Sequence, residues 1–111
     1  MDSSSVYSIV LAEIKNEHAF ENLHGIDYNN IKDYLVMPYQ MEFINPIDEN
    51  IEKHWVVLDE DMNDQHGGYL IFFSSINNMF GLAIKGNNKG HTNTGTNIGF
   101  FGSFIETLNA M

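Results

Sequence analysis

Two apolar runs, Tyr69-Leu70-Ile71-Phe72-Phe73 and Met79-Phe80-Gly81-Leu82-Ala83-Ile84, flank Ser75-Ile76-Asn77-Asn78, and nothing else in the chain restricts its fold as tightly. Asparagine tolerates the positive φ that a tight reversal requires, so the spacing predicts an antiparallel hairpin over 69–84. Upstream, Tyr39, Met41 and Phe43 alternate with Gln40 and Glu42, the period of a strand with one buried face, and Asn45-Pro46 ends it. Trp55-Val56-Val57-Leu58 reads as a short central strand between charged flanks. A last strand is expected around Thr96 to Phe101, after a glycine-, asparagine- and threonine-rich loop from Gly86 to Gly95.

The first third has a helical period. Val6, Val10 and Ile14 recur every fourth residue beside Ile9, and a serine cluster stands ready to cap the start. Val6-Tyr7-Ser8-Ile9-Val10 is β-branched enough to make a strand instead, but Ala12 to Leu23 holds good helix formers and Gly25 supplies a stop. A second short helix is expected from Asn30 to Met37, ended by Pro38. At the C-terminus, Ser103 and Glu106 form a capping box, with Phe104, Ile105, Leu108 and Met111 as the apolar stripe. The sum is an α+β fold: N-terminal helices packed on an antiparallel sheet with a short C-terminal helix, in a single domain over 1–111.

Charge restricts function more than fold. Fifteen carboxylates face five lysines and no arginine, a formal net charge of −10. That field favours a basic protein partner and disfavours nucleic acid or an anionic membrane. With 43% apolar residues the chain is too rich to be a disordered acidic tail. It has no cysteine, so neither a disulfide framework nor a thiolate zinc site can form. The start lacks the basic and apolar segments of a secretory signal, and no apolar run approaches a membrane span, so a cytoplasmic location is expected.

Single-residue chemistry finds little support. His18 and His24 are six apart, off the spacing that puts two ligands on one helical face. A metal site built on His54, His66 and His91 with Asp64 needs three distant segments to converge. Gly86-x-x-x-Gly90 lacks the end of a P-loop, and Gly95-x-x-x-Gly99-x-x-Gly102 is not a dinucleotide fingerprint, which leaves turn and close-packing glycines around Phe100 and Phe101. Ser103 lacks the setting of a nucleophile elbow and is accounted for as a cap. Asp59-x-Asp61-x-x-Asp64 does not have the spacing of a calcium loop. No cofactor and no enzyme activity are expected.

The collective signal lies between Asp48 and Asp64, with seven carboxylates and one lysine in seventeen residues. One account is a solubility face. The other is a contact surface in which Asp48, Glu49, Glu52, Asp59, Glu60, Asp61 and Asp64 mimic phosphate charge, with Trp55, Tyr69 and Tyr39 as aromatic anchors.

The stretch Gly68-Tyr69 … Met79-Phe80-Gly81-Leu82-Ala83 … Gly99-Phe100-Phe101-Gly102-Ser103-Phe104 … Leu108 … Met111 resembles small bacterial immunity proteins of contact-dependent inhibition and related polymorphic toxin systems. The resemblance covers about the last 45 residues, at core and turn positions. It implies a small, acidic, cytosolic α+β protein that plugs or covers the active site of a cognate toxin domain, many of which are basic nucleases. It assigns no contact residue, because immunity surfaces vary with their toxins. Two other classes stay open at this point: a small metal-binding enzyme using His54, His66 and His91, and an adaptor that oligomerises through an edge strand. The oligomeric state is left open.

Overall fold

Asp2 starts the first element. In the computed structural model, which describes residues 1–17, 20, 24–63, 67–85 and 94–111, its carboxylate accepts a hydrogen bond from the Ser5 amide at 2.8 Å and caps helix α1, Ser3–Asn16. The serines expected to cap lie inside the helix, where Ser3 donates its hydroxyl to the Pro38 carbonyl at 2.6 Å. Val6, Val10 and Ile14 are buried along one stripe, so the helical reading of 6–14 holds. The helix is shorter than its composition promised, because Glu17 is already extended.

The second N-terminal helix is a correction. Only a single 3₁₀ turn, Ile31–Asp33, forms, and the chain then enters strand β1, Leu35–Ile44. Proline forces the residue before it away from helical geometry, a constraint an extended Met37 meets without a break. Pro38 therefore sits inside a strand rather than ending a helix. β1 is followed by β2, Ile51–Asp59, β3, Tyr69–Ser74, β4, Met79–Ile84, and β5, Thr94–Gly102. The 69–84 hairpin forms, with Phe73 opposite Phe80 and Tyr69 opposite Ile84, and Asn78 takes φ 54° in its turn. The loop expected from residue 86 falls mostly on 86–93, outside the described residues.

The sheet does not stay open. β1 to β5 pair in sequence order and close into a barrel. An odd number of strands in an up-and-down order must close with two that run the same way. β1 and β5 accordingly pair in parallel, over Glu42–Ile44 and Thr94–Thr96, while the other four pairings are antiparallel. The expected antiparallel sheet is present, with that one parallel seam.

Alternation along the strands separates two cores. Phe43, Val56, Leu70, Phe72 and Ala83 fill the bore, joined by Val36, Met41 and Phe100. Val57, Ile71, Phe73, Phe80 and Leu82 face outward against Val6, Val10 and Ile14 of α1 and Phe104 and Leu108 of helix α2, Phe104–Ala110. Ser103 caps α2 by accepting the Glu106 amide at 3.1 Å. Glu13 of α1 adds a second cap, its carboxylate accepting the Phe104 amide at 3.0 Å.

Glycine makes the bore possible. A Cβ on Gly81 would lie 2.3 Å from Phe72 Cζ and 2.8 Å from the Gly99 carbonyl oxygen, and one on Gly95 would lie 2.7 Å from the Phe43 ring. Gly81→Ala is expected to cost about 1–3 kcal/mol, since the carbonyl is held in the β4–β5 ladder and cannot retreat as a side chain could. Urea denaturation measures it. A loss under about 0.5 kcal/mol would show that the ring and the strand shift freely.

Candidate functional site

The acidic run from Asp48 to Asp64 is one feature in the sequence and two in the fold. β2 carries its middle, and Glu52 and Asp59, seven residues apart on an extended strand, are about 23 Å apart along it. Asp48, Glu49 and Glu52 gather at the β1–β2 turn, and Asp59, Glu60 and Asp61 at the opposite end of β2. Asp64 lies outside the described residues.

The Asp59 end is used by the fold. Asp59 is buried, and its Oδ1 lies 2.7 Å from Lys85 Nζ, with the two side chains 11% and 9% exposed. Lys85 also donates to the Asp61 carbonyl at 2.5 Å, and Asp59 Oδ1 accepts the Asp61 amide at 3.1 Å. Glu60 accepts the Tyr69 amide at 3.0 Å with one oxygen and pairs with the His24 ring through the other. Burial, with the Asp59 charge adding to it, raises the Tyr39 phenol above its ordinary value. The oxygens of Asp59 and Glu60, both expected among the contact carboxylates, hold β2, β3 and the residue after β4 together. Trp55 and Tyr69 are half-buried and pack against the outward-facing core, Tyr69 also meeting the His24 ring edge-on at 5.2 Å.

The hairpin end is different. Its turn is ordered by four bonds: Asn45 amide to the Asn50 carbonyl at 2.9 Å, Glu49 amide to the Asn45 carbonyl at 2.8 Å, Ile47 amide to Asn45 Oδ1 at 2.9 Å, and Asn50 amide to Asp48 Oδ1 at 2.9 Å. Glu49 adopts φ 62° to close it. The turn holds Ile47 out at 92% exposure, with Ile51 at 51% behind it. Neither isoleucine was singled out from sequence, although an isoleucine inside an acidic, Asn-Pro turn was a visible signal. Among the described residues no lysine pairs with Asp48 or Glu52.

Behind Glu52 stands His54, 1% exposed in the bore. Its ring stacks on Phe72 at 4.7 Å and 15°, lies 5.8 Å from Phe43 and meets Phe100 edge-on at 6.0 Å. Among the described residues neither ring nitrogen has a hydrogen-bond partner, and Nε2 is 3.5 Å from Glu52 Oε2. Enclosure by three phenylalanines leaves His54 poorly placed to share a metal with His66 and His91, both of which lie outside the described residues. Among the described residues no three ligating side chains gather around a common point.

Burial lowers the His54 imidazole below its ordinary value of 6.5, against an opposing pull from Glu52. The unfolded chain then takes up more protons than the folded one as pH drops below 6.5, so this residue removes stability on acidification. The slope is at most about 1.4 kcal/mol per pH unit. Glu13, whose carboxyl burial raises, acts with the opposite sign at lower pH. Denaturation at pH 7.5 and 5.5 of wild type and His54→Leu isolates the histidine. The variant is expected to show the smaller loss, and equal losses would mean that His54 is protonated in the fold.

The strand edges bear on self-association. Where β1 runs free of β5, Pro38 offers no amide and its carbonyl is taken by Ser3. On β5 the register with β4 skips Ile98 and Phe101, two bulges of the kind that twist an edge away from pairing. Comparison with protein-family models, with curated proteins and with solved structures returns no match.

Proposed function

We propose that this α+β barrel is an immunity-type inhibitor, which binds a cationic toxin domain of nuclease type and occludes its active site stoichiometrically, without turnover. The observation that carries the reading is a net charge of −10 combined with a rigid turn that presents Asp48, Glu49, Glu52 and Ile47 to solvent. Opposite charge steers the encounter, and a buried apolar anchor lengthens residence. The bonds that order the turn remove much of the entropy cost of docking. The protein would act in the cytoplasm, where a nuclease-type toxin finds its substrate.

The test is genetic and then physical. Co-expression with a cognate basic effector domain should restore growth to cells that the effector alone kills, and the purified pair should have the mass of a one-to-one complex. Association should slow by about tenfold or more between low and physiological salt, because steering between opposite charges is screened. Growth arrest that persists despite abundant folded protein would overturn the reading.

A further inference from the structure

We infer that the Glu52 carboxylate at the hairpin end of the barrel is the seat for one lysine or arginine side chain of the cationic partner, with Ile47 buried beside it. The inference rests on the inhibitor reading above and places its contact.

Four observations converge on Glu52. It stands opposite Phe43 in the β1–β2 register, on the strand face that lines the bore, with 36% of its side chain exposed. The nearest lysine in sequence, Lys53, pairs across from Glu42 on the other face. Directly behind Glu52 is a buried imidazole with, among the described residues, no hydrogen bond on either nitrogen, its Nε2 3.5 Å from the carboxylate. A neutral imidazole carries one donor and one acceptor, and leaving both unsatisfied in an aromatic enclosure is costly. Nothing in the packing of Phe43, Phe72 and Phe100 requires a histidine there.

A cation on the outer oxygen of Glu52 gives the arrangement a purpose. The partner's ammonium or guanidinium donates to one carboxylate oxygen, and His54, as the Nε2–H tautomer, donates to the other. The result is a cation–carboxylate–imidazole chain, in which the inner residue orients the carboxylate as second partners do around metal ligands. His54 is thus a positioning residue and Glu52 the binding group. Asp48 and Glu49 on the adjoining turn supply further negative potential, and Ile47 supplies the apolar contact that a charge pair alone lacks. The bore behind Glu52 is filled by rings, so the seat takes the tip of a single side chain.

The test uses the full chain and two defined probes, acetyl-tetralysine amide and acetyl-tetraarginine amide, followed by NMR at low salt. The expected result is saturable shifts at the His54 ring and the Ile47 methyl groups. Glu52→Gln should weaken binding about tenfold, the scale of one charge-assisted hydrogen bond, while Asp61→Asn at the far end should change it less than about twofold. His54→Leu, which keeps the carboxylate, should weaken binding by an intermediate factor. Equal weakening by Glu52→Gln and Asp61→Asn, or shifts centred on residues 59–61, would overturn the placement and leave the inhibitor reading standing. Absence of binding by either probe would also overturn the placement. The inhibitor reading itself stands or falls on the co-expression result, which does not depend on Glu52.

Discussion

Replacing Asp59 with alanine is expected to cost about 3–5 kcal/mol of folding stability, one of the two largest losses in this protein. The carboxylate lies 2.7 Å from Lys85 Nζ, and both side chains are nearly out of water. Truncation removes the carboxylate that neutralises the buried ammonium, which also donates to the Asp61 carbonyl. It also frees the Asp61 amide that Asp59 accepts. The pair itself is worth much less than its rupture, since two desolvated ions attract only enough to offset their lost hydration. Asp59→Asn combined with Lys85→Met should therefore recover most of the loss. Guanidinium denaturation of the two variants checks both statements. A loss below about 1 kcal/mol for Asp59→Ala would mean that water reaches the pair and screens it. Charge reversal at Asp59 would act through the same loss of folding, so it would not report on partner affinity.

Phe72→Ala is expected to cost a comparable amount, about 3–5 kcal/mol. Phe72 is fully buried at the centre of the bore, 5.0 Å from Phe43, 4.7 Å from His54 and 5.6 Å from Phe100 between ring centroids. Its ring also fills the space that Gly81 leaves. Removing it opens a void that strands locked in a closed ring cannot collapse to fill, which places the cost at the upper end of the range. The two positions should couple. Phe72→Leu withdraws the atoms nearest Gly81, so Gly81→Ala in that background should lose less than in wild type, though not nothing, because the Gly99 carbonyl remains. Additive losses in this double-mutant cycle would show that the carbonyl contact alone sets the cost.

The elements legible in the sequence were those whose signals are local. The 69–84 hairpin, the Val6–Val10–Ile14 stripe and the Ser103–Glu106 cap each rest on residues a few positions apart, and each is present in the structure. Residues 30–37 failed because Ile31, Tyr34 and Leu35 share a helical face by count, whereas Leu35 is claimed by Leu58, far along the chain, across the β1–β2 ladder. Closure was invisible for the same reason, since the Glu42–Ile44 seam with Thr94–Thr96 joins segments about fifty residues apart and no local pattern encodes it. The candidate site divided likewise. A run of carboxylates shows how much charge there is, but only the length of β2 shows that Glu52 and Asp59 sit at opposite ends, and only Lys85 and the Tyr69 amide show which acids are already engaged. His54 reads as a strand residue next to Trp55 in the sequence, and its enclosure among phenylalanines becomes visible only when three other strands are in place.

Glu13 accepts the amide of Phe104 across a separation of 91 residues. α1 also rests on the barrel, through Ser3 on Pro38 and through Val6, Val10 and Ile14 beside Val57, so its berth is built from distant parts of the chain. The short α2 therefore takes part of its cap from a helix far away in sequence, and loosening of either helix is expected to loosen the other.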